Sequence, residues 1–171
     1  YIKENSPNIF DELGNHVFGA VCEREMPING TYLSKIENYS KSQYSTLKDV
    51  DWKWHHHGSP GAEFFNMGLM VFSSDLSEYL RGQTAREFLN RIEFKRFVDG
   101  DGMWKWSTDQ TLLNWWVKKE EIDVKHIDWK FNALFTALQN GKEKEAHFVH
   151  FFKRDNLPSR GENIKEILEI I

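Results

Sequence analysis

The chain has 171 residues, 40% of them hydrophobic and 28% charged, with a formal net charge of −4 and both signs interspersed. That length suits one domain with a substantial core, and the balance excludes a disordered chain, a coiled coil and the basic stripe of a nucleic-acid binder. One cysteine, Cys22, excludes an internal disulfide and fits a reducing, cytoplasmic location, and no apolar run of about eighteen residues marks a membrane span.

Taken in chain order, SPNIFDEL (6–13) places Ser6 as a cap, Pro7 at the first helical position and acids in the first turn, which predicts a short helix. HVFGAVCE (16–23) is a short apolar run between turn formers and predicts a buried parallel strand, with Cys22 as a small buried residue. Residues 26–51, with Pro27, Asn29, Gly30 and many Ser and Tyr, predict long loops with at most one short helix. The turn-rich WKWHHHGSPG (52–61) leads into a strand over 63–72. Asp75 or Ser77 then caps a helix to about Phe94, with Ala85, Phe88, Leu89 and Ile92 facing the core. After a loop with glycines and two Trp, Ser107 or Thr108 caps a second helix through Lys119 that turns Leu112, Leu113, Trp116 and Val117 inward. Short strands are predicted at 124–127 and 147–151, and a final amphipathic helix over 163–171 uses Ile164, Ile167, Leu168 and Ile171. Strands alternating with helices predict an α/β fold with a mainly parallel central sheet, in which ligands sit outside the carboxyl ends of the strands.

Several residues carry potential chemistry. Asn66 interrupts an apolar run, and a buried amide needs partners, either a bound sugar hydroxyl or a neighbouring loop. Gly68 removes a side chain and admits a ligand or another backbone. Asp109 and Gln110 open a helix, where the dipole favours an acid; side by side, the two can also hold adjacent hydroxyls of one sugar ring, with Trp104 and Trp106 upstream as a stacking platform. His150 lies on a short apolar strand beside Lys153 and Arg154, so imidazole and ammonium could serve a metal and a phosphate. His55, His56 and His57 read as an adventitious metal site that would need a loop geometry. Seven Trp, thirteen Phe and five Tyr exceed a minimal core and fit either a crowded aromatic interior or ring stacking. Phosphate-binding glycine loops, HExxH, paired CxxC and GxSxG are absent.

As an ordered set, Phe65, Asn66, Met67 and Gly68, then Asp109, Gln110 and Asn114, then Lys130, Phe131 and Asn132, and finally His150 resemble the later part of GT-A fold glycosyltransferases such as glycogenin and the lipopolysaccharide galactosyltransferases. The resemblance covers most of residues 64–158. It implies that 1–171 is a single domain, the C-terminal part of a Rossmann-like GT-A sandwich, with the nucleotide-binding strands and the Asp-x-Asp metal motif upstream of Tyr1. It further implies transfer of a sugar from a nucleotide-diphosphate donor to a carbohydrate or glycoconjugate hydroxyl. In that role Asn66, Gly68, Gln110, Trp106, Asn132 and Lys153 bind substrate, and His150 holds a divalent metal, with manganese the ion the resemblance implies. Asp109 would be the base if the enzyme inverts, or a sugar-binding residue if it retains. Two departures stand out: HFFKRDNLP lacks the family's glycine after the histidine, and Asp99 and Asp101 mimic Asp-x-Asp only in a glycine loop. The rivals are a noncatalytic carbohydrate-binding or interaction domain using its Trp-rich loops, and a carboxylate glycosidase built on Asp99, Asp101 and Asp109.

Overall fold

A computed structural model describes residues 1–44, 47, 49–54, 61–101, 109–152 and 154–171, with the side chains of Ile36, Ser40, Gln43 and Arg154 outside the description. The fold is mixed α/β. A short helix α1 (Ile9–Leu13) is capped by Asn8, whose side chain accepts from the Phe10 N–H; Ser6 instead donates its hydroxyl to the carbonyls of Lys3 and His147. Strand β1 (Phe18–Cys22) follows, then a turn of 3₁₀ helix (Glu23–Glu25) and α2 (Gly30–Tyr44). Strand β2 (Phe65–Phe72) leads to three short helices, α3 (Leu76–Leu80), α4 (Ala85–Leu89) and α5 (Lys95–Asp99). Helix α6 (Asp109–Lys119) precedes β3 (Val124–His126), β4 (Ala133–Leu134), β5 (Val149–His150) and α7 (Ile164–Leu168).

The central sheet has three strands in the order β2-β1-β3, with β1 antiparallel to β2 and parallel to β3, and a separate two-stranded sheet pairs β4 with β5 in parallel. The sheet is therefore mixed, not mainly parallel. The apolar run of β1 signalled burial correctly, but burial on two faces says nothing of strand direction. Phe18, Ala20 and Cys22 enter one core with Phe65, Trp115 and Trp116, while Val21 enters a second with Val71, Ile127 and Phe131. This is the period of two expected of a strand, with a hydrophobic layer on each side.

Two expectations for helices change. The segment read as loop forms the fifteen-residue α2, started by Asn29, whose side-chain oxygen accepts from the Tyr32 N–H. The helix expected to run to Phe94 breaks where Arg81 and Gly82 adopt left-handed φ values of 55° and 67°. It restarts at Thr84, which shares a capping box with Glu87. The break shifts the helical phase, so Phe88 is buried while Leu89 and Ile92 are exposed. At the C-terminus Ile167 alone of the four named apolar residues is fully buried, and Ile164 is exposed. The described aromatic surplus is mostly interior: Trp52, Trp115 and Trp116 are all buried, with Phe88 edge-on to Trp116. Among the described residues no helix is long and apolar enough to cross a membrane.

Candidate functional site

A cleft of about 450 Å³ forms where the carboxyl end of β1, the start of β2, the first turn of α6, one flank of α2 and the end of β5 converge. Glu23, Asn66, Asp109, Gln110 and His150 line it together with Tyr32, Lys35, Tyr39 and Phe152. Four of the sequence candidates, Asn66, Asp109, Gln110 and His150, separated by more than eighty positions in the chain from first to last, thus share one cavity.

The junction of β2 and α6 explains the Asp-Gln-x-x-x-Asn pattern. Phe65 and Met67 turn their backbone polar groups away from β1, and α6 runs beside them. The Asn114 side chain accepts from the Phe65 N–H at 2.8 Å and donates to the Phe65 carbonyl at 2.8 Å, as a neighbouring strand would. Gln110 accepts from the Met67 N–H at 3.1 Å. Four residues of helix advance about 6 Å and two residues of strand about 6.7 Å, so amides at i and i+4 on α6 meet alternate residues of β2. Asn114 is fully buried. Helix α2 is tied to the same helix through Thr111, which accepts from the Tyr44 hydroxyl at 3.2 Å.

Asn66, Asn132 and His150 form a polar chain whose direction can be deduced. The Asn66 side-chain oxygen accepts from the Gly68 N–H at 3.0 Å, and its nitrogen donates to Glu23 Oε1 at 2.7 Å. Neither partner can exchange roles, so the Asn66 amide has one orientation. Asn132 must then donate to Asn66 Oδ1, at 2.9 Å, and its own oxygen faces His150 Nδ1 at 2.9 Å. His150 therefore carries its proton on Nδ1. Burial pushes the His150 pKa down, favouring the neutral ring. Among the described residues Nε2 has no hydrogen-bond partner, so its lone pair is available to a ligand.

Glu23 is the hub on the other side. It is buried, and Oε1 accepts from both Asn66 and Gln110, the latter at 3.3 Å. Beside it Tyr32, desolvated and facing this carboxylate, has its pKa pushed up to about 12. Sequence reasoning missed Glu23, although an acid closing an otherwise apolar strand was a usable signal. It missed Lys35, Tyr32 and Tyr39 because α2 was read as loop.

The structure redefines two candidates. The Asn66 oxygen is saturated by Gly68 and Asn132, so this amide finds its partners in the protein, and a ligand would meet Glu23 beside it. Gly68 makes room for a side chain of the protein: a Cβ there would lie 2.6 Å from His150 Nδ1 and 2.9 Å from Asn66 Oδ1. The missing side chain is the space that the imidazole occupies. Asp109 stands exposed at the cleft mouth, and Asn132 lies behind His150 with 2% exposure. Trp104, Trp106, Lys153, His55, His56 and His57, and the expected caps Ser107 and Thr108, lie outside the described residues.

No family model, curated protein or solved structure matches this chain.

A second cluster lies apart from this cleft, in a larger one of about 590 Å³. Glu63, just before β2, receives Lys118 Nζ at 2.7 Å and His126 Nε2 at 3.1 Å. Burial opposes its charge, but the hydrogen bonds from His126 and Lys118 hold its pKa at about 2. His126 also binds Glu25 through Nδ1 at 2.7 Å, and these bonds to Glu25 and Glu63 raise its pKa to about 9. Among the described residues, Cys22, Glu25 and His126 are the one group whose potential metal-ligand atoms come together, all within 4.8 Å. His150 is not part of such a group.

Proposed function

We propose that this chain carries the sugar-handling part of a metal-dependent GT-A glycosyltransferase, which moves a sugar from a nucleotide-diphosphate donor to a hydroxyl of a glycan, lipid-linked sugar or protein. The Rossmann-like sandwich of such enzymes is part of the proposal. The observation that carries it is the convergence of Asp109, Gln110 and His150 on one cleft, with the His150 Nε2 lone pair left over by the Asn66–Asn132 chain.

In this reading Glu23 and Asp109 accept hydrogen bonds from sugar hydroxyls, and Gln110 is kept in place by Met67 and Glu23. The rings of Tyr32 and Phe152, 5.9 Å apart and edge to face, offer apolar surface to a sugar face. Lys35, an exposed cation on the cleft wall, faces where a diphosphate would enter. His150, its Nδ1–H fixed by Asn132, holds a divalent metal through Nε2, the arrangement in which an outer partner orients a ligating histidine. Bound manganese would offset the charge of the departing diphosphate. The chain's own contribution is to position the sugar and exclude water from it. Asp109 is the carboxylate available to take the acceptor proton if the anomeric centre inverts.

Calorimetric titration of the full-length protein with UDP and with GDP, each with and without manganese, tests the reading. Nucleotide binding that requires manganese and is lost in His150→Ala is the expected result. Sugar binding that ignores both nucleotide and manganese would replace it with a noncatalytic carbohydrate-binding module.

A further inference from the structure

We propose that Cys22, Glu25 and His126 form a site for one thiophilic divalent cation, zinc, separate from the sugar cleft. Cys22 ends β1, Glu25 closes the 3₁₀ turn after it, and His126 ends β3, the strand paired in parallel with β1. Sheet pairing thus delivers a sulfur, an oxygen and a nitrogen to one point, with no separation above 4.8 Å. The second cleft, which holds Glu63 and His126, shares no lining residue with the first.

The imidazole is already oriented as a metal ligand would be. Its Nε2 meets the Glu63 carboxylate at 3.1 Å, and Glu63 is anchored in turn by Lys118 at 2.7 Å. A carboxylate on the distal ring nitrogen is the usual outer partner of a ligating histidine. That leaves Nδ1 for the ion, on the side where Glu25 lies at 2.7 Å. This hydrogen bond lies on the side of the ring where a cation would sit. The Glu25 and His126 side chains are 32% and 31% exposed, so an ion can enter from solvent, whereas Cys22 is fully buried and presents its sulfur from below.

The exchange balances. An imidazolium and a thiol each release one proton, and the divalent ion brings two charges, so the net charge beside Lys118 and Arg24 is unchanged. A mixed sulfur, nitrogen and oxygen set suits zinc, whereas manganese and magnesium favour oxygen. Tetrahedral zinc needs ligand atoms about 3.6 Å apart, so on binding the Glu25–His126 pair, now 2.7 Å, opens, and the widest separation, at most 4.8 Å, shortens. One coordination position is left to solvent.

Cobalt(II) is the first probe, because thiolate ligation gives a near-ultraviolet charge-transfer band that oxygen and nitrogen ligands lack. Cys22 is the chain's one cysteine, so such a band can arise nowhere else. We expect one cobalt per chain with this band, its displacement by one equivalent of zinc, and loss of the band in Cys22→Ser. Glu63→Gln should weaken zinc competition on the order of 10- to 100-fold. Cobalt saturation without the band overturns the proposal, as does zinc affinity unchanged in Cys22→Ser. If Cys22→Ser does not fold, the spectrum of the unaltered chain decides alone. Zinc affinity unchanged in Glu63→Gln would overturn the role of His126.

Discussion

Replacing Asn114 with Ala tests the idea that a helix completes the hydrogen bonding of an edge strand. The substitution removes the bonds to the Phe65 N–H and carbonyl, both 2.8 Å, and a third, 2.9 Å, to the Gln110 carbonyl. The Gln110 carbonyl keeps the ordinary bond of an α-helix, so two backbone groups lose their partner. Asn114 is fully buried, and Ala is too short to replace it or to admit a well-bonded water easily. At about 1–3 kcal/mol for each of the two buried groups left unsatisfied, the expected loss is about 2–6 kcal/mol. That is a large fraction of the stability of an ordinary domain. Urea unfolding followed by far-ultraviolet circular dichroism measures it, and hydrogen exchange at the Phe65 amide localises it. A loss below about 1 kcal/mol, with Phe65 still protected, would refute the reasoning, because it would mean that β2 does not depend on α6 for these bonds. Asn114→Asp should cost at least as much as Ala, since a carboxylate can still accept from the Phe65 N–H but would be buried facing the carbonyls of Phe65 and Gln110.

Three further outcomes follow from the geometry of the two clefts. Gly68→Ala should displace the His150 ring and lower stability by about 1–3 kcal/mol, visible as loss of the His150 Nδ1–H signal in nuclear magnetic resonance; an unchanged signal would show that the glycine is not the imidazole's seat. Asn132→Asp should raise the His150 pKa from its depressed value by placing a carboxylate at Nδ1, and a titration by the same method reads the direction. In the metal-free chain, His126 has a folded pKa of about 9 against an ordinary 6.5, so its stabilising contribution is complete below 6.5 and disappears as pH rises through 9. Because the ring is partly exposed, the loss should be about 1–2 kcal/mol rather than the full value of the shift. Melting temperature against pH measures it, and a slope in this range that persists in His126→Gln would assign the loss to another group.

Much of the secondary structure could be read locally. The strand pattern of β1 and β2 and the body of α6 have signals within a few residues, namely apolar runs and a helical apolar pattern after Asp109, whereas α1 takes its cap from Asn8 and not from the expected Ser6. The misreadings were also local. Asn29 as a cap and the Thr84-x-x-Glu87 box were present, but low-propensity Ser and Tyr obscured α2, and an apolar repeat obscured the break at Gly82.

The sequence alone placed Asp109 and Gln110 at a helix start, Asn66 and Gly68 in a strand, and His150 on a late apolar segment. Only the tertiary structure decided what each one does there. Hydrogen-bond partners are chosen by elements distant in the chain, so the sequence could not show that Gly68 seats an imidazole or that Asn66 is held by Glu23 and Asn132. Nor could it show that the antiparallel contact of α6 with β2 assigns Asn114 to backbone repair and leaves Asp109 at the open mouth. Strand direction is lost to the sequence for the same reason. Apolar periodicity reports how many faces are buried, whereas direction depends on how the intervening chain returns.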